Sequence, residues 1–224
     1  MSADDSLLQV ARESSLGRQT NVPLLVLLHG FASYEQHLFR HEALFDPRFA
    51  VVAPRAPLRI GPGAHRWFYF ERTPDGPIVS EDEETHSLKT LLAYLDALAV
   101  ERAPSAMYIL GHSQGGTMAL SVLLSKPRLI QGLVNINGRA LSRVVPSEDS
   151  RKALAGMKLL EYHGIDNPIV PLPMARATRD RLKKFGVEID YRERPGIGHG
   201  FTAEILNESS EWLSGLLDRQ EIAR

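Results

Sequence analysis

The chain contains no cysteine, which excludes disulfide bridges, thiolate metal sites and a cysteine nucleophile. Net charge is all but missing: 26 Lys and Arg stand against 27 Asp and Glu. No basic stripe or run disturbs that balance, so nucleic acid is not an expected partner. No apolar run approaches the ~20 residues that span a bilayer, and no integral membrane segment is expected. The start, Met1-Ser2-Ala3-Asp4-Asp5, is acidic and lacks the basic opening and apolar core of a secretory signal. The expectation is a soluble, cytoplasmic protein. Internal repeats and low-complexity segments are absent too.

What the chain does have is alternation. Apolar runs at 22–28, 49–52, 106–110, 129–136, 157–162 and 187–191 read as strands. Helical spacing appears at 35–45, from Ser80-Glu81-Asp82-Glu83 onward, through Leu124, at 174–185 and at 201–217. The Ser80 tetrapeptide has the form of a capping box, and Leu88, Leu91, Leu92, Leu95 and Leu98 follow it on one helix face. Residues 57–63 read as a Pro- and Gly-rich loop, and residues 139–155 as polar and irregular. Strands alternating with helices predict an α/β fold with a mostly parallel central sheet covered on both faces. With 224 residues and no linker, a single domain over 1–224 is expected. Residues 1–20 are expected to form an N-terminal extension or edge strand.

One hexapeptide stands out. Gly111-His112-Ser113-Gln114-Gly115-Gly116 lies between an apolar strand and a helical run, the form of a nucleophile elbow. Such a turn holds a serine hydroxyl clear of the sheet at a helix N-terminus, where the dipole favours developing negative charge. Serine needs a base, and the base an orienting carboxylate. In doubly wound sheets these belong at the carboxyl ends of strands. His163-Gly164-Ile165-Asp166 follows the strand at 157–162 and offers Asp166. Gly198-His199-Gly200 follows the next strand and offers His199 as base. Asp190 and Glu193 are rival acids, but Asp190 falls within a strand. Two backbone N–H groups must receive the oxyanion; Gln114, after the nucleophile, and Phe31, in the loop His29-Gly30-Phe31, are the candidates. His29, His112 and His163 read as structural hydrogen-bonding groups. Trp67 and Phe68 either line a substrate pocket or fill core.

The chain resembles the phospholipase/carboxylesterase family of α/β-hydrolases, which includes acyl-protein thioesterases, and in particular its bacterial carboxylesterases. The likeness rests on Leu28-His29-Gly30-Phe31, Ala53-Pro54-Arg55-Ala56-Pro57, Gly61-Pro62-Gly63 with Arg66-Trp67-Phe68, the elbow, the segment from His163 to Pro171, and Gly198-His199-Gly200. It implies an α/β-hydrolase fold with little or no lid. The implied activity is hydrolysis of small carboxylic esters, short-chain acyl esters first, with thioesters and lysophospholipids in range. It implies neither metal nor organic cofactor. The loop Ser33-Tyr34-Glu35-Gln36-His37 departs from the family pattern Ser-Asn-Glu-x-Asp, placing bulky Tyr34 beside the expected pocket. A peptidase or amidase on the same triad, and a binding protein without turnover, are the alternatives. Oligomeric state is open, a homodimer included.

Overall fold

The computed structural model describes residues 11–16, 18–73 and 76–222. Its first half runs β1 (Ala11–Glu13), β2 (Leu24–Leu28), α1 (Gln36–Phe39), a 3₁₀ turn (Glu42–Leu44), β3 (Ala50–Pro54), β4 (Leu58–Gly61), β5 (Ala64–Arg66), β6 (Phe70–Thr73) and β7 (Gly76–Val79). There follow α2 (Glu81–Arg102), β8 (Met107–His112), α3 (Gln114–Ser125), β9 (Gly132–Ile136), α4 (Glu148–Leu154), β10 (Lys158–Gly164), α5 (Leu172–Lys183), β11 (Glu188–Arg194) and α6 (Ala203–Ile222).

Seven strands form one sheet in the order β1-β3-β2-β8-β9-β10-β11. β1 pairs antiparallel with β3 at the edge, and every other pairing is parallel. Side chains alternate across the pleat, so each central strand feeds two cores. Leu24, Val26, Leu28, Ile109, Leu133 and Leu159 pack under α2 and α3. Leu25, Leu27, Leu110, Val134 and Leu160 pack against Leu206 and Leu213 of α6. This is why β2 and β8 read as unbroken apolar runs: both faces are covered.

Local chemistry sets the helix ends. The Ser80 side chain accepts from the Glu83 N–H at 3.3 Å, an N-cap that starts α2. The reciprocal half of the capping box is missing. Glu83 instead takes the Tyr69 N–H at 2.5 Å and both forks of Arg66, tying the helix start to the aromatic run. Ala103 closes α2 at φ 41°, in the left-handed region. The helix expected over 35–45 divides into α1 and a 3₁₀ turn, with His41 out of helical conformation between them and the Glu35 side chain bound to Arg55 rather than capping. The strand expected from 129 starts at Gly132, since Pro127–Leu129 winds into a 3₁₀ turn.

The Pro- and Gly-rich stretch is not bare loop. Two short antiparallel ribbons, β4–β5 and β6–β7, flank Trp67. Their strands are three or four residues long and have no clear alternation to read. The segment 139–155 contains α4, capped by Ser147, whose Oγ accepts the Ser150 N–H at 3.1 Å. No described helix is long and apolar enough to cross a membrane.

The elbow is built on close backbone approach. A Cβ on Gly115 would fall inside the contact distances of the Leu28 carbonyl, and one on Gly111 would lie 2.5 Å from the Gly115 carbonyl oxygen. β8, the first turn of α3 and the end of β2 therefore meet with no room for a methyl group. Ser113 sits at φ 56°, ψ −119°, a conformation that non-glycine residues rarely adopt. α3 is buried along nearly its whole length, so packing on all sides holds the strained turn. We expect Gly115→Ala to destabilise the fold by about 3 kcal/mol or more, overpacking against backbone that cannot retreat. Urea denaturation should show the midpoint falling with the slope unchanged; an unchanged midpoint would contradict this packing.

Candidate active site

Two of the three nominated side chains meet. Ser113 Oγ lies 2.7 Å from His199 Nε2. The elbow delivers the serine from the end of β8, and the loop after β11 delivers the histidine. His112 holds that loop: its Nε2 lies 2.8 Å from the His199 carbonyl oxygen and donates to it. Burial keeps the His112 pKa at about 4, so this ring is a neutral strut rather than a second base.

The nominated acid does not meet the imidazole. Asp166 is exposed, and its Oδ2 accepts the Gly196 N–H at 3.0 Å. The partner of His199 Nδ1 is the next residue, Asn167, whose Oδ1 lies 3.0 Å away. Successive side chains in a tight turn diverge, so a shift of one residue exchanges an outward carboxylate for an inward carboxamide. The rivals are elsewhere: Asp190 pairs with Arg192 at 2.6 Å, and Glu193 with Arg176 at 2.8 Å. Among the described residues, no carboxylate is hydrogen-bonded to His199.

The Asn167 amide has one orientation that satisfies its neighbours. Oδ1 also accepts the Ile169 and Val170 N–H groups at 2.9 and 3.0 Å, an Asx turn. Nδ2 donates to Asn137 Oδ1 at 3.0 Å, and the Gly164 N–H donates to the same oxygen at 2.9 Å. Asn137 Nδ2 in turn donates to the Gly200 carbonyl at 2.7 Å. Asn137 stands just beyond β9 at φ 58°, a conformation asparagine tolerates better than most residues. With Oδ1 facing His199, the imidazole proton must sit on Nδ1. That leaves the Nε2 lone pair aimed at Ser113.

A neutral partner leaves the imidazole electrostatically unsupported. Burial, and the ring of His163 nearby, lower the His199 pKa to about 4. His199 is therefore neutral through the whole physiological range.

The first loop is gripped from three sides. Ala56 N–H donates to His29 Nε2 at 3.0 Å, so Nδ1 carries the proton and donates to the Gly30 carbonyl at 2.8 Å. Carbonyl and N–H of a trans peptide point in opposite directions. Holding the Gly30 carbonyl thus fixes the Phe31 N–H on the other side of that peptide plane. Trp67 Nε1 donates to the His29 carbonyl at 2.8 Å. Buried Glu35 binds both forks of Arg55 at 2.6 and 2.5 Å, and these hydrogen bonds outweigh burial, holding its carboxyl below the usual range. The Gln114 backbone N–H opens α3, where first-turn amides have no intrahelical acceptor. Its side chain links the elbow to the aromatic run, accepting from Trp67 N–H at 3.0 Å and donating to the Phe68 carbonyl at 2.7 Å.

A cavity of about 360 Å³ opens over Ser113 and His199, with Phe31, Phe68, Phe70, Ile169 and Val170 among its walls. That size suits a small molecule. Phe68, for which the sequence leaves pocket and core both open, lines it. Trp67 does not: it is 0% exposed and belongs to the core, where its indole reaches the His29 carbonyl. Nor does Tyr34, which is 42% exposed and outside the lining; the bulky replacement points to solvent because Glu35, next to it, is anchored inward. Among the described residues, no group of three or more His, Asp or Glu is arranged to hold a metal ion. Sequence reasoning missed Asn167, Asn137, Ile169 and Val170. The Asx-turn pattern of Asn167 before Pro168 was the one available signal.

Comparison with known proteins matches this architecture. A family model described as phospholipase/carboxylesterase matches residues 13–217. Acyl-protein thioesterase 1 of Gibberella zeae is 24% identical over 200 residues, covering 83% of each chain. A probable carboxylesterase of Arabidopsis thaliana, SOBER1-like, is 29% identical over 191 residues, 79% of this chain and 70% of that protein. Among solved structures, the esterase PE8 superposes with a TM-score of 0.78 at 21% identity, covering 92% of this chain and 98% of that one; at that identity the likeness concerns the fold. The chain belongs to the phospholipase/carboxylesterase family and is a carboxylesterase- or thioesterase-type hydrolase of the α/β-hydrolase fold.

Proposed function

We propose that the protein hydrolyses small carboxylic esters through an acyl-enzyme on Ser113, with His199 as general base and Asn167 as the residue that orients it. The observation that carries this reading is the relay Ser113 Oγ–His199 Nε2 at 2.7 Å and His199 Nδ1–Asn167 Oδ1 at 3.0 Å. Ser113 Oγ attacks the ester carbonyl carbon while His199 Nε2 takes its proton. The oxyanion forms against the N–H groups of Phe31 and Gln114. His199 then protonates the leaving alcohol, and a water activated by the same nitrogen releases the acid. Thioesters fit the same chemistry, and a relative carries that name. The cavity of about 360 Å³ favours short acyl groups.

The carboxamide performs half of what an aspartate does. It fixes tautomer and ring plane through hydrogen bonding, but it brings no negative charge to stabilise the imidazolium. The consequence is a base that stays deprotonated in acid. Protonation of His199 removes the base, so kcat/KM falls only as pH drops through its pKa. With that pKa at about 4, the rate should hold steady down to about pH 5 and reach half near pH 4. A carboxylate opposite the ring raises the imidazole pKa by roughly 1–3 units, so Asn167→Asp should shift the acid limb upward. An acid limb already near pH 6.5 in the wild type would contradict a neutral partner.

Incubation with a fluorophosphonate should label Ser113 and no other residue, as read by peptide mass mapping, and Ser113→Ala should fold without labelling. Absence of label on folded protein would end the hydrolase reading. Asn167→Ala should lower kcat on 4-nitrophenyl acetate by roughly 10- to 150-fold, the loss of a hydrogen bond to a group that becomes charged. Asp166→Asn keeps an acceptor for the Gly196 N–H and should change kcat by less than about tenfold. The reverse ranking would return the orienting role to Asp166.

A further inference from the structure

Arg139 lines the catalytic cavity and has no side-chain partner there. It follows β9 by three residues, and its backbone N–H donates to Thr117 Oγ1 on α3 at 3.2 Å. No described residue accepts a hydrogen bond from its guanidinium or forms an ion pair with it. The nearest competing carboxylate is Glu84, which lies in the adjoining hollow of about 240 Å³ that Arg139 also borders. Arg143 already binds Glu84 and lies 4.0 Å from exposed Glu81. Glu84 is buried, and burial raises its pKa; its charge and that of Arg139 act on each other, but no ion pair or hydrogen bond joins them, because Arg143 holds the carboxylate.

Everything else around the cavity is neutral. Its histidines, His37, His112 and His199, are all shifted down by burial. Arg139 is the single permanently charged side chain of the lining, set among Phe68, Phe70, Thr117 and Val170. Burial disfavours its cationic form. An unpaired guanidinium in a mostly apolar cavity is an unfavourable arrangement for the empty protein, and its fork matches planar anions bidentately.

We propose that Arg139 anchors an anionic group carried by the substrate, so that this site selects esters bearing a carboxylate or phosphate on a short arm over neutral esters. This rests on the hydrolase reading above and names its substrate class. The chemistry is ordinary hydrolysis: water adds across the ester, the acyl carbon–oxygen bond breaks, and alcohol, carboxylate and one proton are released. Arg139 touches the non-reacting end of the substrate and acts through specificity. It also screens that fixed charge from the oxyanion forming at Phe31 and Gln114.

The test compares monomethyl glutarate with its neutral dimethyl ester by pH-stat, in wild type and in Arg139→Met and Arg139→Lys. A phosphate arm uses 2-acetoxyethyl phosphate against 2-acetoxyethanol, and shows which anion is preferred. Wild type should favour the anionic member of at least one pair by roughly 10- to 100-fold in kcat/KM. Arg139→Met should abolish that preference, leaving the neutral esters within about threefold, and Arg139→Lys should keep part of it. Equal use of charged and neutral esters by wild type would overturn the proposal. So would an Arg139→Met that slows both members equally at an unchanged melting temperature. If Arg139→Met does not fold, competitive inhibition of 4-nitrophenyl acetate hydrolysis by glutarate but not glutaramide in wild type upholds the proposal, and no inhibition overturns it. Should the wild type neither take fluorophosphonate nor turn over any ester, the hydrolase reading falls by itself. Calorimetric binding of glutarate, lost in Arg139→Met and weakened in Arg139→Lys, would still uphold the anion site, and its absence in the wild type would sink it.

Discussion

The close approach of Gly115 to the Leu28 and His29 carbonyls is the constraint on which the rest of this site depends. It brings the first turn of α3 against the end of β2, so Ser113 and the loop that faces it are set by one contact. Ser113 is held at a positive φ because the strand before it and the helix after it are both buried and cannot relax. A strained residue persists only when its surroundings over-determine it. Here the surroundings are the two central strands and the most deeply buried helix of the fold.

Around that contact, the polar groups serve as fasteners between strand ends. His29 binds the loop after β3 to the loop after β2, His112 binds the elbow to the His199 loop, and Asn137 binds the end of β9 to those of β10 and β11. His29 and His112 are neutral for the same reason, burial. Neutral imidazole is well suited to the work, since one nitrogen donates while the other can accept. Among the described residues, one histidine ring, that of His199, is hydrogen-bonded to Ser113 in a site rich in histidine.

The hydrogen-bonded row of Ser113, His199 and Asn167 differs in its third member from the Ser-His-Asp arrangement expected from the sequence. Asn167 sits in an Asx turn that needs an oxygen acceptor, and beside an Asn137 oxygen that needs a donor. A carboxylate in that place would satisfy the first demand and fail the second, setting two acceptors face to face. Asn137 cannot simply turn over, because its two amide groups are committed to Gly164 and Gly200. The carboxamide and its neighbour are a matched pair that fixes the His199 ring, while burial and the nearby His163 keep it uncharged.

The sequence by itself determined the fold class, the sheet-and-helix alternation, the turn at Ser113 and the strand-end positions of His199 and Phe31. Those features are local: an apolar run, a glycine spacing or a residue following a strand carries its meaning within a few positions. What the tertiary structure decided was which side chain faces which. Asp166 and Asn167 are neighbours in the same loop, and only the packing of that loop against Gly196–Gly198 turns one outward and the other to the imidazole. Trp67 and Phe68 are likewise adjacent, yet the bend they form between the two ribbons sends the indole into the core and leaves Phe68 at the cavity. Arg139 lay in a stretch with no periodicity, and its place in the cavity comes from the return of the chain past α3. Direction at the scale of one residue is a long-range property, set by contacts between segments far apart in the chain.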